Sequence, residues 1–131
     1  MEAGLADNPL DELGILQSEL FRAVRLVVDT GMHYKKWTRE KAMAYMKAKT
    51  GMSDTEVRVE IERYIVWPAQ ALSYKVGMIK ILELRKRAQD ALGEKFNIKD
   101  FHSALLDHGS PPLFIVEEKV KDMINNAKLL N

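Results

Sequence analysis

The feature that most limits the fold is punctuation. Pro9, Gly31, Gly51, Pro68, Gly93, Gly109 and the pair Pro111–Pro112 cut the chain into segments. Glycine and proline are the strongest breakers of regular elements. Within every segment longer than about ten residues, apolar positions recur at the three- and four-residue spacing of a helix, and none shows the strict alternation of a strand. In the first segment Leu13, Leu16, Leu20, Val24 and Val27 recur this way, and Phe21 and Val28 widen the stripe. A stripe of that kind must be buried against another element. The pattern predicts an all-α fold: a helical bundle of about six helices, one domain over residues 1–131, with the short connections of neighbouring bundle helices.

The ends are also written in the sequence. Asp7 or Asn8 can cap the first helix with Pro9 at its first position, and Gly31 is a plausible stop. Thr38 can cap a second helix that ends at Gly51. Ser53 and Glu56 form a capping-box pair for a third, which Pro68 ends or bends. The fourth runs from about Ala69 to Leu92, with Gly93 as its stop. A fifth lies between Asn97 and His108. The prolines at 111 and 112 open a sixth, which reaches the polar tail near Asn125.

Composition excludes several classes. The chain has 131 residues, 47% hydrophobic and 30% charged, which suits a packed domain and not a disordered one. Lys and Arg number 20 against 19 Asp and Glu, so nothing draws it to nucleic acid or an anionic membrane. The absence of Cys removes disulfides and cysteine metal sites. Seven Met are explained by gap-filling in helical packing. The start, MEAGLADNPLDELG, lacks the charged and apolar regions of a signal peptide, which favours a cytoplasmic location.

Chemistry gathers at two places. On a wheel of the fourth helix Gln70, Tyr74 and Gly77 fall within about 40° of one another, at 100° per residue. They form a small polar strip with a gap at the glycine, where a backbone or ligand could approach. Leu72, Val76 and Ile79 lie opposite, and Met78, Ile81 and Leu82 fill most of the remainder, so the helix is expected to be buried. Lys75, near that apolar sector, must find a carboxylate, reach water or lose its charge. Arg22, Arg25 and Asp29 lie on neighbouring turns of the first helix, either as a surface ion pair or as a charge cluster holding a substrate carboxylate. His33 lies just past Gly31, where a helix-end partner is the ordinary role of a histidine. His102 and His108 are six residues apart and share no helical face, so neither reads as a metal ligand. The sequence contains no HExxH motif, no glycine-rich phosphate loop and no Gly-x-Ser-x-Gly. A DNA-binding helix-turn-helix over Thr38–Thr50 and Ser53–Val66 is disfavoured. Its second helix carries Glu56, Glu60 and Glu62 against Arg58 and Arg63.

Two longer signatures say more. Residues 25–33 read RLVVDTGMH, and residues 63–77 read RYIVWPAQALSYKVG. With DNPLDELG before them, TREKA and YM between them, and ALGEKFNIKDFHSALLDHG and PPL after, the chain resembles the C-terminal segment of the bacterial domain-of-unknown-function family 885. Full-length members of that family look like gluzincin zinc peptidases, in which two His of HExxH and a downstream Glu bind zinc. The resemblance implies that those residues precede this chain, so that it would hold no metal and no cofactor and be inactive alone. It would then be a C-terminal helical subdomain, one wall of an active site. The site candidates implied are Arg25, Asp29, His33, Arg63, Gln70, Tyr74 and Lys75. His33 and Tyr74 would serve catalysis by donating to a tetrahedral oxyanion. Arg25 or Lys75 would hold a peptide carboxylate, with Asp29, Arg63 and Gln70 also on the substrate side. Ala69 departs from the family pattern, which commonly has Gly before Gln70. The expected partners are a second copy of the chain or an upstream zinc-bearing domain, with a peptide-like substrate in the full-length family, no nucleic acid and no membrane. The alternative is a non-catalytic helical interaction module, since an apolar wall parted from its other half would bind something.

Overall fold

A computed structural model describes residues 8–129, whose regular structure is all helical, with no strand among them. The helices are α1 (Pro9–His33), α2 (Arg39–Thr50), α3 (Asp54–Val66), α4 (Ser73–Leu92), α5 (Ile98–Leu106) and α6 (Leu113–Leu129). Short 3-10 turns, Gln70–Leu72 and Gly93–Lys95, precede and follow α4. The described residues divide into two compact units, one ending at Lys75 and the other starting at Val76.

The caps form as their chemistry requires. The Asn8 side chain accepts from the amides of Leu10 and Asp11, Thr38 accepts from Lys41, and Asn97 accepts from Lys99. Ser53 and Glu56 make the full reciprocal box. Asp7 lies outside the described residues.

In the first unit α1, α2, α3 and the Gln70–Leu72 turn pack together. Val24, Val28, Ala42, Met46, Val57, Ile61, Tyr64 and Ala71 form its core. In the second, Leu84, Ala88 and Leu92 of α4 pack with Phe101 of α5 and with Val116, Val120 and Ile124 of α6. An ion-pair network edges this core: Glu117 binds Lys80 and Arg87, and Glu83 binds the same two cations.

Four expectations about the helices are corrected. Gly31 does not stop α1, which continues to His33 with Tyr34 as its C-cap. Its hydrogen atom makes room for a neighbour: a Cβ there would stand 2.7 Å from two atoms of the Trp37 indole. The fourth helix does not begin at Ala69. Pro68 and Ala69 make a corner, Ala69 takes a left-handed φ of 68°, and a 3-10 turn follows before α4 starts at Ser73. Nor is α4 buried around its circumference, because Val76, Met78, Ile79, Ile81 and Leu82 are exposed. In the sixth segment the helix passes Asn125 and runs to Leu129.

Candidate functional site

The singled-out residues of the first helix face inward. Arg25 and Asp29 are its two buried charged residues. They find partners on other elements of the first unit instead of a surface ion pair with each other. Arg25 Nε donates to the Tyr64 hydroxyl at 2.9 Å, and Nη2 donates to Glu60 Oε2 at 3.1 Å. Its guanidinium also lies over aromatic rings, the carbon 4.2 Å from the Phe21 centroid and 5.1 Å from that of Tyr74. Both Asp29 oxygens accept from the Ala69 amide, at 3.2 and 3.1 Å.

Glu60 joins the arginines of α1 and α3. Its Oε2 accepts from Arg25, from Arg63 at 2.7 Å, and from the Tyr64 hydroxyl. Burial alone would push this carboxyl up. The hydrogen bonds from Tyr64 and Arg63 and the charges of Arg63 and Arg25 outweigh that, and hold it below the ordinary carboxylate range. Burial, and then the Glu60 hydrogen bond, push the Tyr64 phenol well above its ordinary value, so it stays a neutral donor. Arg63 also donates to Gln70 Oε1 at 2.6 Å and lies 4.9 Å from the Tyr64 ring.

Arg22 lies beside this group. Its Nη1 donates to the carbonyl and the hydroxyl of Ser18, and its guanidinium carbon stands 5.9 Å from the Tyr74 centroid. Tyr74 is 49% exposed, and its hydroxyl makes no hydrogen bond among the described residues. Lys75 resolves its position with a carboxylate, donating to Glu19 Oε1 at 2.6 Å. His33 Nε2 stands 2.9 Å from the Tyr64 carbonyl, which can only accept, so Nε2 carries the proton.

The structure thus brings Arg25, Arg63, Gln70 and Tyr74 into one cluster of α1, α3 and the start of α4. Asp29 and His33 lie at its base, tying α1 to the end of α3 and to the corner after it. The Lys75–Glu19 pair flanks it. Gly77 belongs to the second unit, and a Cβ there would meet nothing within 4 Å. Because Gln70 sits on the 3-10 turn, the helical wheel does not relate it to Tyr74. The residues that join the cluster, Glu60 and Tyr64, were not among the candidates. Their signal was present: Glu60, Arg63 and Tyr64 are spaced three and four apart on one helical face.

The cluster has an excess of positive charge. Lys75 and Glu19 cancel. Asp29 and Glu60, the latter shared by Arg25 and Arg63, offset two of the guanidiniums of Arg22, Arg25 and Arg63, which leaves one positive charge in excess. A positive, aromatic-lined surface with an open phenol suits an anion. Among the described residues no three His, Asp or Glu side chains gather as they would to hold a metal ion. No described helix is long and apolar enough to cross a membrane.

Comparison with known proteins gives the same fold in a solved structure. The chain is similar to the "putative lipoprotein from Colwellia psychrerythraea", with 51% identity and a TM-score of 0.93 over 95% of its length. It spans 22% of the length of that protein. No curated protein matches. The family described as "Bacterial protein of unknown function (DUF885)" matches residues 1–120, and the chain belongs to that family.

Proposed function

We propose that the chain is the helical, substrate-side segment of a zinc-metallopeptidase-like protein. It supplies groups that bind a peptide and none that bind the metal. The observation that carries this is the convergence of three guanidiniums on Tyr64 and Tyr74, with the Tyr74 hydroxyl open to an incoming ligand. In this proposal Tyr74 donates to an oxyanion or a ligand oxygen, and Arg63 holds Gln70 at the edge. Asp29 and His33 act by fixing the corner from which Gln70 and Tyr74 project, and Arg25 supplies charge from beneath. The zinc would be held by another part of a longer protein, whose peptide substrate this segment would help to place. The description of the solved neighbour as a lipoprotein weighs against a cytoplasmic location and for an exported one.

Titration of the isotope-labelled chain with short N-acetylated peptides, followed by amide chemical shifts, tests the reading. Shifts should concentrate on Arg22, Arg63, Ala69 and Tyr74. Titration to millimolar peptide with no shift in that group would reject it. The isolated chain should retain no stoichiometric zinc after dialysis and should cleave no peptide with zinc added. Retained zinc would contradict the assignment of the metal to another segment.

A second reading is a helical interaction module. The observation in its favour is the apolar stripe of α1, where Leu10, Leu13, Leu16 and Leu20 are exposed.

A further inference from the structure

Arg22 is the residue of the cluster whose capacity is not spent within the fold. Arg25 is 8% exposed, with two hydrogen bonds and two aromatic rings close to its guanidinium. Arg63 is divided between Glu60 and Gln70. Arg22 donates only through Nη1, to Ser18 one turn earlier, which folds the side chain back along α1. Its Nε and Nη2 have no partner among the described residues and are not buried atoms. These two N–H groups make the edge of a guanidinium that accepts the two oxygens of a carboxylate side by side. The Tyr74 ring lies against the same guanidinium and against that of Arg25. Cations over its π-face hold the ring in place and leave its hydroxyl as a third donor.

We propose that Arg22 and Tyr74 form a specificity-determining subsite for the terminal carboxylate of a peptide ligand, Arg22 through its Nε–Nη2 edge and Tyr74 through its hydroxyl. This rests on the substrate-side reading above and assigns to Arg22 the selection that the sequence had led one to expect of Arg25 or Lys75. Those two are occupied: Arg25 is locked under the rings, and Lys75 is paired with Glu19. The Ser18 contacts matter because they consume one end of Arg22 and fix which edge is presented. Glu60 matters because it neutralises one of the buried positive charges beneath, which favours a monoanion over a dianion.

The test uses the full chain and two probes, N-acetyl-dialanine and its C-terminal amide, with affinity read by chemical-shift titration. The acid should bind about tenfold more tightly than the amide, as expected for a lost charge-assisted pair. Arg22→Lys keeps the charge and loses the planar edge, and Tyr74→Phe keeps the ring and loses the hydroxyl. Each should lower the acid-to-amide ratio severalfold, because one of the two donors to the carboxylate is weakened or lost. Both are conservative, and unchanged circular dichroism certifies the fold. Wild-type protein that binds acid and amide equally would overturn the carboxylate subsite and leave the peptide-binding reading standing. Binding of neither probe would overturn both. Full discrimination in both variants, or its loss only in Lys75→Gln, would move the selection away from Arg22.

Discussion

At the scale of single residues, Ala69 is where sequence and structure meet most sharply. It occupies a left-handed conformation, φ 68°, which costs an L-residue roughly 1–2 kcal/mol. The strain persists because the Ala69 amide binds both oxygens of buried Asp29 and its carbonyl accepts from Leu72, closing the 3-10 turn. Ala69→Gly should therefore stabilise the protein by about 0.5–1 kcal/mol, the relief of strain outweighing the added freedom of the unfolded chain. A higher urea midpoint at unchanged slope is the expected result, and a lower one would mean that the Cβ packs usefully. Glu60 gives a pH prediction. Its carboxyl is held below the ordinary value of 4.5 in the folded chain, so the ionised form favours folding. That contribution is complete above the ordinary value and is lost as pH falls through the lower folded one. Glu60→Gln should flatten the acid limb of stability against pH, measured by thermal melts between about pH 6 and 3. The candidates of α1, Arg25 and Asp29, were legible as a charged pair on an apolar helix. Their partners were not, because a helical wheel describes one element, while Glu60, Tyr64 and Ala69 come from 35 to 40 positions away.

At the scale of elements, two glycines test what the helices require. Gly31 lies inside α1, and a Cβ there would stand 2.7 Å from the Trp37 indole, a rigid ring that cannot fold aside. Trp37 is fixed in turn by the hydrogen bond its backbone N–H donates to the Gly31 carbonyl at 2.9 Å and by its packing on Tyr45. Gly31→Ala should cost about 1–3 kcal/mol, as overpacking does, despite the better helix propensity of alanine. Gly77, within α4, has open space where its Cβ would be. Gly77→Ala should accordingly stabilise the isolated chain by about 0.5–1 kcal/mol. Denaturant midpoints moving in opposite directions for the two variants would confirm the distinction, and a destabilised Gly77→Ala would show that a backbone approaches there. The sequence marked both as special but not their difference. Gly31 read as a stop because the indole that needs its space lies six residues on, in a loop that periodicity does not describe. The helix starts at Asn8, Thr38, Ser53 and Asn97 were legible because a cap is made by side chains within three residues of the amides it satisfies. The turn after Pro68 was not, because a 3-10 segment has no stripe of its own and Asp29, distant in sequence, anchors it.

At the scale of the whole molecule, the apolar residues left in water decide what the chain does in solution. On α1 the exposed residues Leu13, Leu16, Leu20 and Val27 repeat at spacings of three, four and seven, the spacing of a helix-pairing seam. Val24 and Val28, one turn further around, are buried in the core of the first unit. The stripe of α1 is thus wider than its own unit uses. Leu13, Leu16 and Leu20 are 51%, 49% and 45% exposed, and half-exposed leucines in register form a continuous ridge. Each 100 Å² of apolar surface covered contributes about 2.5 kcal/mol, so two copies that bury roughly 600 Å² between them gain about 15 kcal/mol. An association cost of about 8 kcal/mol, within the estimated range of roughly 4–15 kcal/mol, leaves about 7 kcal/mol, a dissociation constant of roughly 10 µM. A second copy would meet the ridge through the same residues, the self-complementary arrangement of a two-fold dimer. The purified chain is therefore expected to show concentration-dependent dimerisation in the micromolar range by light scattering or sedimentation. A Leu13→Glu, Leu20→Glu pair should return it to monomer with helix content unchanged, because both side chains lie outside the core and α1 keeps its Asn8 cap. Wild-type protein that remains monomeric to about 100 µM would show that the ridge alone does not drive pairing at the affinity estimated from its area. A dimer unaffected by the double substitution would place the interface on another surface.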